Sequence, residues 1–239
     1  MKKQLVLLTA ALLVSVGTFA QTATDVVNKH IAAIGGIDKI KAIKSAQYDQ
    51  HMSIAGMEMT GKTVVVVGQA MRADVTVMGS QVTQVINGDK GWSVNPMQGG
   101  STPQDTPADQ VALSKGNTEL TGLQLAYASL KGYPMVMKGT EKMGTADRLR
   151  VDVTRPEATV SYYLDPQTYY ITNTKATVMA GGQKVDVEST FANYKAVEGI
   201  TMPFSVDLKA PGMPSNLTTI VDKVTLNPTI DPAIFNKPK

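Results

Sequence analysis

The sequence predicts an α+β chain that is mainly β: one antiparallel sheet with a few helices lying on its apolar face. Three observations carry this. From Ala146 to Leu226 apolar and polar residues alternate in segment after segment, the period-two signature of strands with one dry and one wet face. Turn pairs separate the segments: Asp165-Pro166, Gly181-Gly182, Glu198-Gly199 and Pro211-Gly212. No helical pattern intervenes, so parallel crossovers have nothing to run through and an antiparallel meander follows.

The chain opens differently. Lys2 and Lys3 precede an apolar run from Leu5 to Val16, and Thr18-Phe19-Ala20 places small residues where a signal peptidase reads, so residues 1–20 are expected to be a secretory signal cleaved after Ala20. The run is shorter than the roughly 20 residues that span a bilayer. Residues 21–239 are expected to form a single exported domain, which places the protein in the periplasm. Its 23 basic and 20 acidic residues give +3, falling to +1 without Lys2 and Lys3, a balance that argues against nucleic acid as a partner. The absence of cysteine excludes disulfides, thiolate metal sites, a cysteine nucleophile and a lipid-modified cysteine anchor.

After the signal, Thr24 or Asp25 can cap a helix whose apolar residues Val27, Ile31 and Ile34 recur at helical spacing until Gly35-Gly36, and Ile37, Ile40 and Ile43 continue a second short stripe. Such helices pack on a sheet or act as a lid. Strands follow. Tyr48, Met52 and Ile54 alternate with Asp49, His51 and Ser53, then comes the β-branched run Thr63 to Val67, and Met71, Ala73, Val75 and Val77 alternate with Arg72, Asp74 and Thr76. Gln81 to Ile86 leads into the hairpin signal Asn87-Gly88-Asp89-Lys90-Gly91 ahead of Trp92, the sole tryptophan. Pro96 to Pro107 reads as the one long loop. Thr106-Pro107-Ala108-Asp109 then starts a helix on which Leu113, Leu120, Leu123, Tyr127 and Leu130 share a face, weakened by Gly116 and Gly122. Met135 and Met137 resume the strands. In the meander, Leu149, Val151 and Val153 share a face, as do Val160, Tyr162 and Leu164, then Val185, Val187 and Phe191, then Met202, Phe204, Val206 and Leu208.

Motifs for chemistry are few. Gly56 to Thr63 matches the phosphate-loop pattern GxxxxGK[ST], but that mechanism needs a helix beginning at the lysine, and Thr63-Val64-Val65-Val66-Val67 has strand propensity. A nucleotide-binding enzyme is the least favoured alternative. His30 falls in a helix and His51 on a polar strand face, with no zinc-type pair between them. Asp186 and Glu188 share a strand face as acid and base could, but alternate with Val185 and Val187 like a solvated face. Asn216-Leu217-Thr218 fits a glycosylation sequon by chance composition.

What remains is an apolar supply. The chain has 13 methionines, among them Met52, Met57, Met59, Met71, Met135, Met137, Met179 and Met202 on strand faces or turn edges. A large curved sheet with few covering helices leaves an apolar concavity, and a lipid chain can fill it. The expected lining is Met52, Ile54, Val75, Val77, Tyr127, Val160 and Tyr162, with Trp92 near the mouth.

Several stretches also carry a family resemblance: Gly35-Gly36 followed by Ile37-Asp38-Lys39-Ile40, Asn87 to Trp92, Tyr163-Leu164-Asp165, Val197 to Pro203, and Val224-Thr225-Leu226-Asn227 leading to Ile230-Asp231-Pro232-Ala233-Ile234-Phe235. In these the chain resembles the outer-membrane lipoprotein-sorting family, the LolA-like periplasmic carriers. The resemblance implies an incomplete antiparallel β-barrel of about eleven strands, with helices lidding an apolar cavity. It implies a carrier that shields lipid or lipoprotein acyl chains without cofactor or catalysis, and Arg72 is the nearest positional match to a family arginine. An envelope protein-interaction module of the same fold with a packed core is the alternative.

Overall fold

A computed structural model describes residues 21–98, 100–180 and 183–238; the expected signal and its cleavage site lie outside the described residues. Thr22 starts the first helix rather than Thr24 or Asp25. Its side chain accepts from the Asp25 amide while the Asp25 carboxylate accepts from the Thr22 amide, a reciprocal box that satisfies two free amides of α1 (Ala23–Ala33). Asp25 is therefore the third helical residue, which is why it reads as a cap. After Gly35 and Gly36 comes α2 (Ile37–Ala42).

Thirteen strands follow, all in one antiparallel sheet: β1 (Ser45–Ile54), β2 (Met57–Val66), β3 (Ala70–Val77), β4 (Ser80–Asn87), β5 (Lys90–Asn95), β6 (Gly100–Asp105), β7 (Met135–Met143), β8 (Ala146–Thr154), β9 (Thr159–Leu164), β10 (Ile171–Ala180), β11 (Gln183–Val197), β12 (Ile200–Lys209) and β13 (Leu217–Leu226). They run in the order β6 to β1, then β13 to β7, so β1 pairs with β13 in the middle and β6 and β7 stay apart as free edges. The result is an incomplete barrel, with two more strands than the resemblance implied.

Two departures from the sequence reading concern the segment between the edges. Pro96 to Pro107 is not all loop: a 3-10 turn (Pro96–Gln98) leads to edge strand β6. The single helix expected through Leu130 is two, α3 (Ala108–Ser114) and α4 (Gln124–Leu130), and Pro107 occupies the cap position instead of the first turn. Lys115–Thr118 forms a 3-10 turn between them, and Gly122 takes a left-handed backbone (φ 82°) that no helix continues through.

One face of the sheet receives the helices. Val26, Val27, Ile31, Ile34 and Ile40 from α1 and α2, with Leu120, Leu123, Leu125 and Tyr127 around α4, pack on Val151, Val153, Tyr162, Leu164, Met202 and Phe204. The opposite face of β3 to β5 has a smaller core, in which Ala70, Val85 and Trp92 lie under Phe235 from the C-terminal 3-10 turn (Pro232–Phe235). Among the described residues no helix is long and apolar enough to cross a membrane.

Candidate functional site

Where β1 to β4 extend beyond the helices, their inward face forms a trough. The pairing sets its floor in rows: Met52, Met59 and Val77 side by side; then Gln50, Gly61, Val75 and Val82; then Tyr48, Thr63, Ala73 and Gln84; and, under the helices, Ala46, Val65, Met71 and Ile86. Cross-strand neighbours stand about 5 Å apart, so each row is a continuous strip of side chains. β13 supplies the wall beyond β1, with Val221 beside Gln50 and Thr219 beside Met52.

The outer section is apolar and about 560 Å³, lined by Met52, Met59, Val75, Val77, Val82, Asn95, Met97 and Leu217. The inner section, about 340 Å³, runs from Tyr48, Gln50, Thr63 and Gln84 to Glu119, Thr121 and Gln124 on the segment before and at the start of α4. Gly61 stands between Gln50 of the inner section and Val75 of the outer one. A Cβ there would stand 2.9 Å from the Met52 Cε and 3.3 Å from a Val75 methyl, so the missing side chain lowers the floor between the sections. Both volumes fall within the range of small-ligand sites, and flexible thioethers suit a variable apolar guest.

Charge at the inner end is internally balanced. The Glu119 carboxylate is buried and accepts from Lys131 Nζ at 2.8 Å and from Arg155 Nη2 at 2.9 Å. The same Arg155 nitrogen donates to the Tyr162 hydroxyl and the Gln124 carbonyl, and Glu157 lies 4.0 Å from Arg155 Nη1. Burial pushes the Tyr162 hydroxyl up to about 12, against the pull of Arg155. Burial likewise raises Tyr48 and Tyr127 above the ordinary tyrosine value, with the Tyr127 hydroxyl adding to the effect on Tyr48. The Tyr48 hydroxyl faces the Thr121 backbone, yet neither it nor the Tyr127 hydroxyl makes a well-formed hydrogen bond among the described residues.

Of the residues expected to line a cavity, Met52, Val75 and Val77 come together in the outer trough. Ile54 is half-buried on the same face, at the outer end of β1. Tyr127, Val160 and Tyr162 do not line it: they pack in or against the helix-covered core, where α4 lies against α1. Trp92 is not at the mouth. It points to the opposite face, where its Nε1 donates to the Phe235 carbonyl at 3.0 Å. Arg72 shares that face, donating to Asp74 at 2.7 Å and to the Ile234 carbonyl. Met59, Val82, Met97 and Leu217 were missed as lining, although Met59 lies in plain period with Met57; Gln50, Thr63 and Gln84 also keep the period of their apolar neighbours and could have been found by parity alone.

The remaining motifs resolve into structure. Lys62 and Thr63 are in the middle of β2, and Ala55-Gly56 is the two-residue hairpin turn before it, both residues left-handed (φ 50° and 79°), so the phosphate-loop pattern is a β-hairpin. His51 pairs with Asp222 at 2.9 Å on the outer surface, and His30 is buried in the core. A larger cleft of about 830 Å³ lies on the outer face of β7 to β11 and the end of β12, where several of the charges are paired: Arg150 with Asp152 and Glu141 at 2.8 and 2.9 Å, and Lys175 with Glu188 at 3.8 Å.

No family model and no curated protein matches the sequence. Solved structures do. A DUF1329 family protein from Desulfovibrio piger superposes with a TM-score of 0.60 at 11% identity, covering 91% of this chain and 98% of its own. A LolA superfamily protein from Nitrosomonas europaea gives 0.58 at 14% identity, with 91% and 99% covered. A domain assigned to outer membrane lipoprotein sorting, from Vibrio parahaemolyticus, gives 0.55 at 14% identity, with 90% and 96% covered. At these identities the likeness is one of fold: an open antiparallel sheet curled round helices, and the chain has this LolA-like fold.

Proposed function

We propose that the protein is an exported, periplasmic carrier that holds a lipid or lipoprotein acyl chain in the trough by burial alone, with no cofactor and no covalent chemistry. One observation carries the reading: four strands present a continuous inward-facing strip of methionine and valine, with Gly61 in its second row, and among the described residues no α-helix supplies any of its lining. Each methylene moved from water into such a surface gains about 0.8 kcal/mol, so a chain of ten carbons supplies enough to bind without any polar contact. The export signal expected at residues 1–20 and the fold shared with lipoprotein-sorting structures support the same reading.

The test is native mass spectrometry of protein purified without detergent, with organic extraction of whatever co-purifies, followed by titration with a fluorescent acyl chain. Gly61→Val adds an isopropyl group to the floor in a backbone that is not left-handed; its Cβ meets the end of Met52, which can move aside, and stands 3.3 Å from the Asp74 carbonyl. It should keep the fold and lower acyl-chain affinity by about tenfold. Unchanged affinity in the folded variant would remove the trough from the function. A protein that takes up no chain at all would instead point to a protein-interaction module of the same fold.

A further inference from the structure

The two sections of the trough differ in kind, and the difference selects a ligand. The outer section is almost wholly apolar, while the inner one sets the polar side chains Gln50, Thr63, Gln84, Thr121 and Gln124 among apolar ones such as Val65, Met71 and Val221; Gln50 donates to Thr63 and Gln124 accepts from the Gly122 amide. Tyr48 is 6% exposed, and its hydroxyl is shielded from the cavity beside the Thr121 backbone, with no well-formed hydrogen bond among the described residues. Among the described lining residues of the inner section the only formal charge is Glu119, and it is already held by Lys131 and Arg155. With Glu157 beside Arg155 that group is neutral as a whole, and no lysine or arginine lines the inner section.

We propose that the inner section is a head-group subsite for an uncharged hydrogen-bonding group, so that the preferred cargo is a neutral amphiphile: one acyl chain carrying hydroxyls or an amide. This rests on the carrier reading. The tail lies outward along Met52, Met59, Val75 and Val82, and the head reaches the amides of Gln50 and Gln84. A carboxylate or phosphate placed there would be stripped of water beside Glu119 with no cation to meet it, which a walled site penalises heavily. A hydroxyl or amide has both donors and acceptors to match the lining.

The experiment compares monolauroylglycerol, laurate and lauroyl lysophosphatidate, each below its micelle concentration, by calorimetry at pH 8 with the intact protein. Monolauroylglycerol is expected to bind at least tenfold more tightly than either anion. Gln84→Leu should weaken monolauroylglycerol about fivefold and leave laurate unchanged. Gln84→Lys, at a half-exposed position, should shift the preference toward laurate. Equal binding of all three, or tighter binding of an anion, would overturn the subsite while leaving the carrier reading in place. Failure of all three to bind would overturn the carrier reading and the subsite with it.

Discussion

His30 shows how strongly single side chains are committed to the core. It is fully buried on α1, and Nδ1 donates to the Tyr169 carbonyl at 2.8 Å, which fixes the tautomer and leaves Nε2 with no partner among the described residues. Burial pushes its pKa down to about 4, only partly opposed by the Tyr169 carbonyl. The unfolded imidazole takes its proton near 6.5, so between pH 6.5 and 4 the unfolded chain holds more protons than the folded one. This contribution to stability is complete above pH 6.5 and is lost as pH falls toward 4, by up to about 3 kcal/mol. Urea unfolding at pH 7 and pH 4.5 should show a clearly smaller acid loss in His30→Leu than in the unsubstituted protein, although the variant starts lower for want of the Tyr169 bond. Equal losses would assign the acid sensitivity to other groups. The Glu119 cluster belongs to the same scale: Lys131 at the end of α4 and Arg155 in the β8–β9 connection both hold one buried carboxylate on the segment before α4, and removing either would leave charge in the core.

Between elements, the close approach of the α3–α4 connection to β12 depends on Gly122. A Cβ there would stand 2.2 Å from Pro203 Cδ and 2.9 Å from Cγ, and its φ of 82° is strained for any L side chain. Gly122→Ala should therefore cost at least about 2 kcal/mol by denaturant unfolding. Gly116→Ala, with open space around it and no left-handed backbone, should be neutral or stabilising by about 0.5 kcal/mol. Equal effects at the two glycines would show that Pro203 does not fix the connection. The same glycines explain a misreading: Leu113, Leu120, Leu123 and Tyr127 happen to keep a helical period across a chain that turns twice between them. Strands were legible wherever one face was dry, as in β3 and β8. β6 was not, because Gly100-Ser101-Thr102-Pro103-Gln104-Asp105 has no apolar residue to alternate and pairs on one side only. Trp92 was misplaced because what decides its face is Phe235, 143 residues away, a contact that no local pattern encodes. The trough was half legible: Met52, Val75 and Val77 follow from alternation, whereas Tyr127 and Tyr162 were assigned to it by face alone, which does not encode where α4 lies.

Over the whole molecule, the sheet divides around the helices. β12 pairs with β13 only through Ser205 to Leu208, and its first half leaves that partner and is tied instead to the end of α1, where the Thr201 amide donates to the Ile34 carbonyl at 3.0 Å. The fork closes the inner end of the trough with helix and loop. The outer end stays open between the β1–β2 and β3–β4 hairpins, and there Met57, Met78 and Met97 are 37%, 77% and 52% exposed. Met78 also holds a left-handed turn position (φ 49°) that asparagine or glycine would occupy more easily. On the carrier reading proposed above, large apolar side chains at the rim would touch the surface from which a chain is taken, since an acyl chain that passes directly from bilayer to trough never crosses water. Met78 does not line the trough, so its effect on rate separates from its effect on affinity. Met78→Glu should slow transfer of a fluorescent acyl chain from vesicles about fivefold while leaving affinity for the monomeric chain within about twofold. Stopped-flow transfer and equilibrium titration on the same preparation measure the two quantities. A parallel fall in both would place Met78 in ligand binding, and no change in either would mean that the chain is captured from solution.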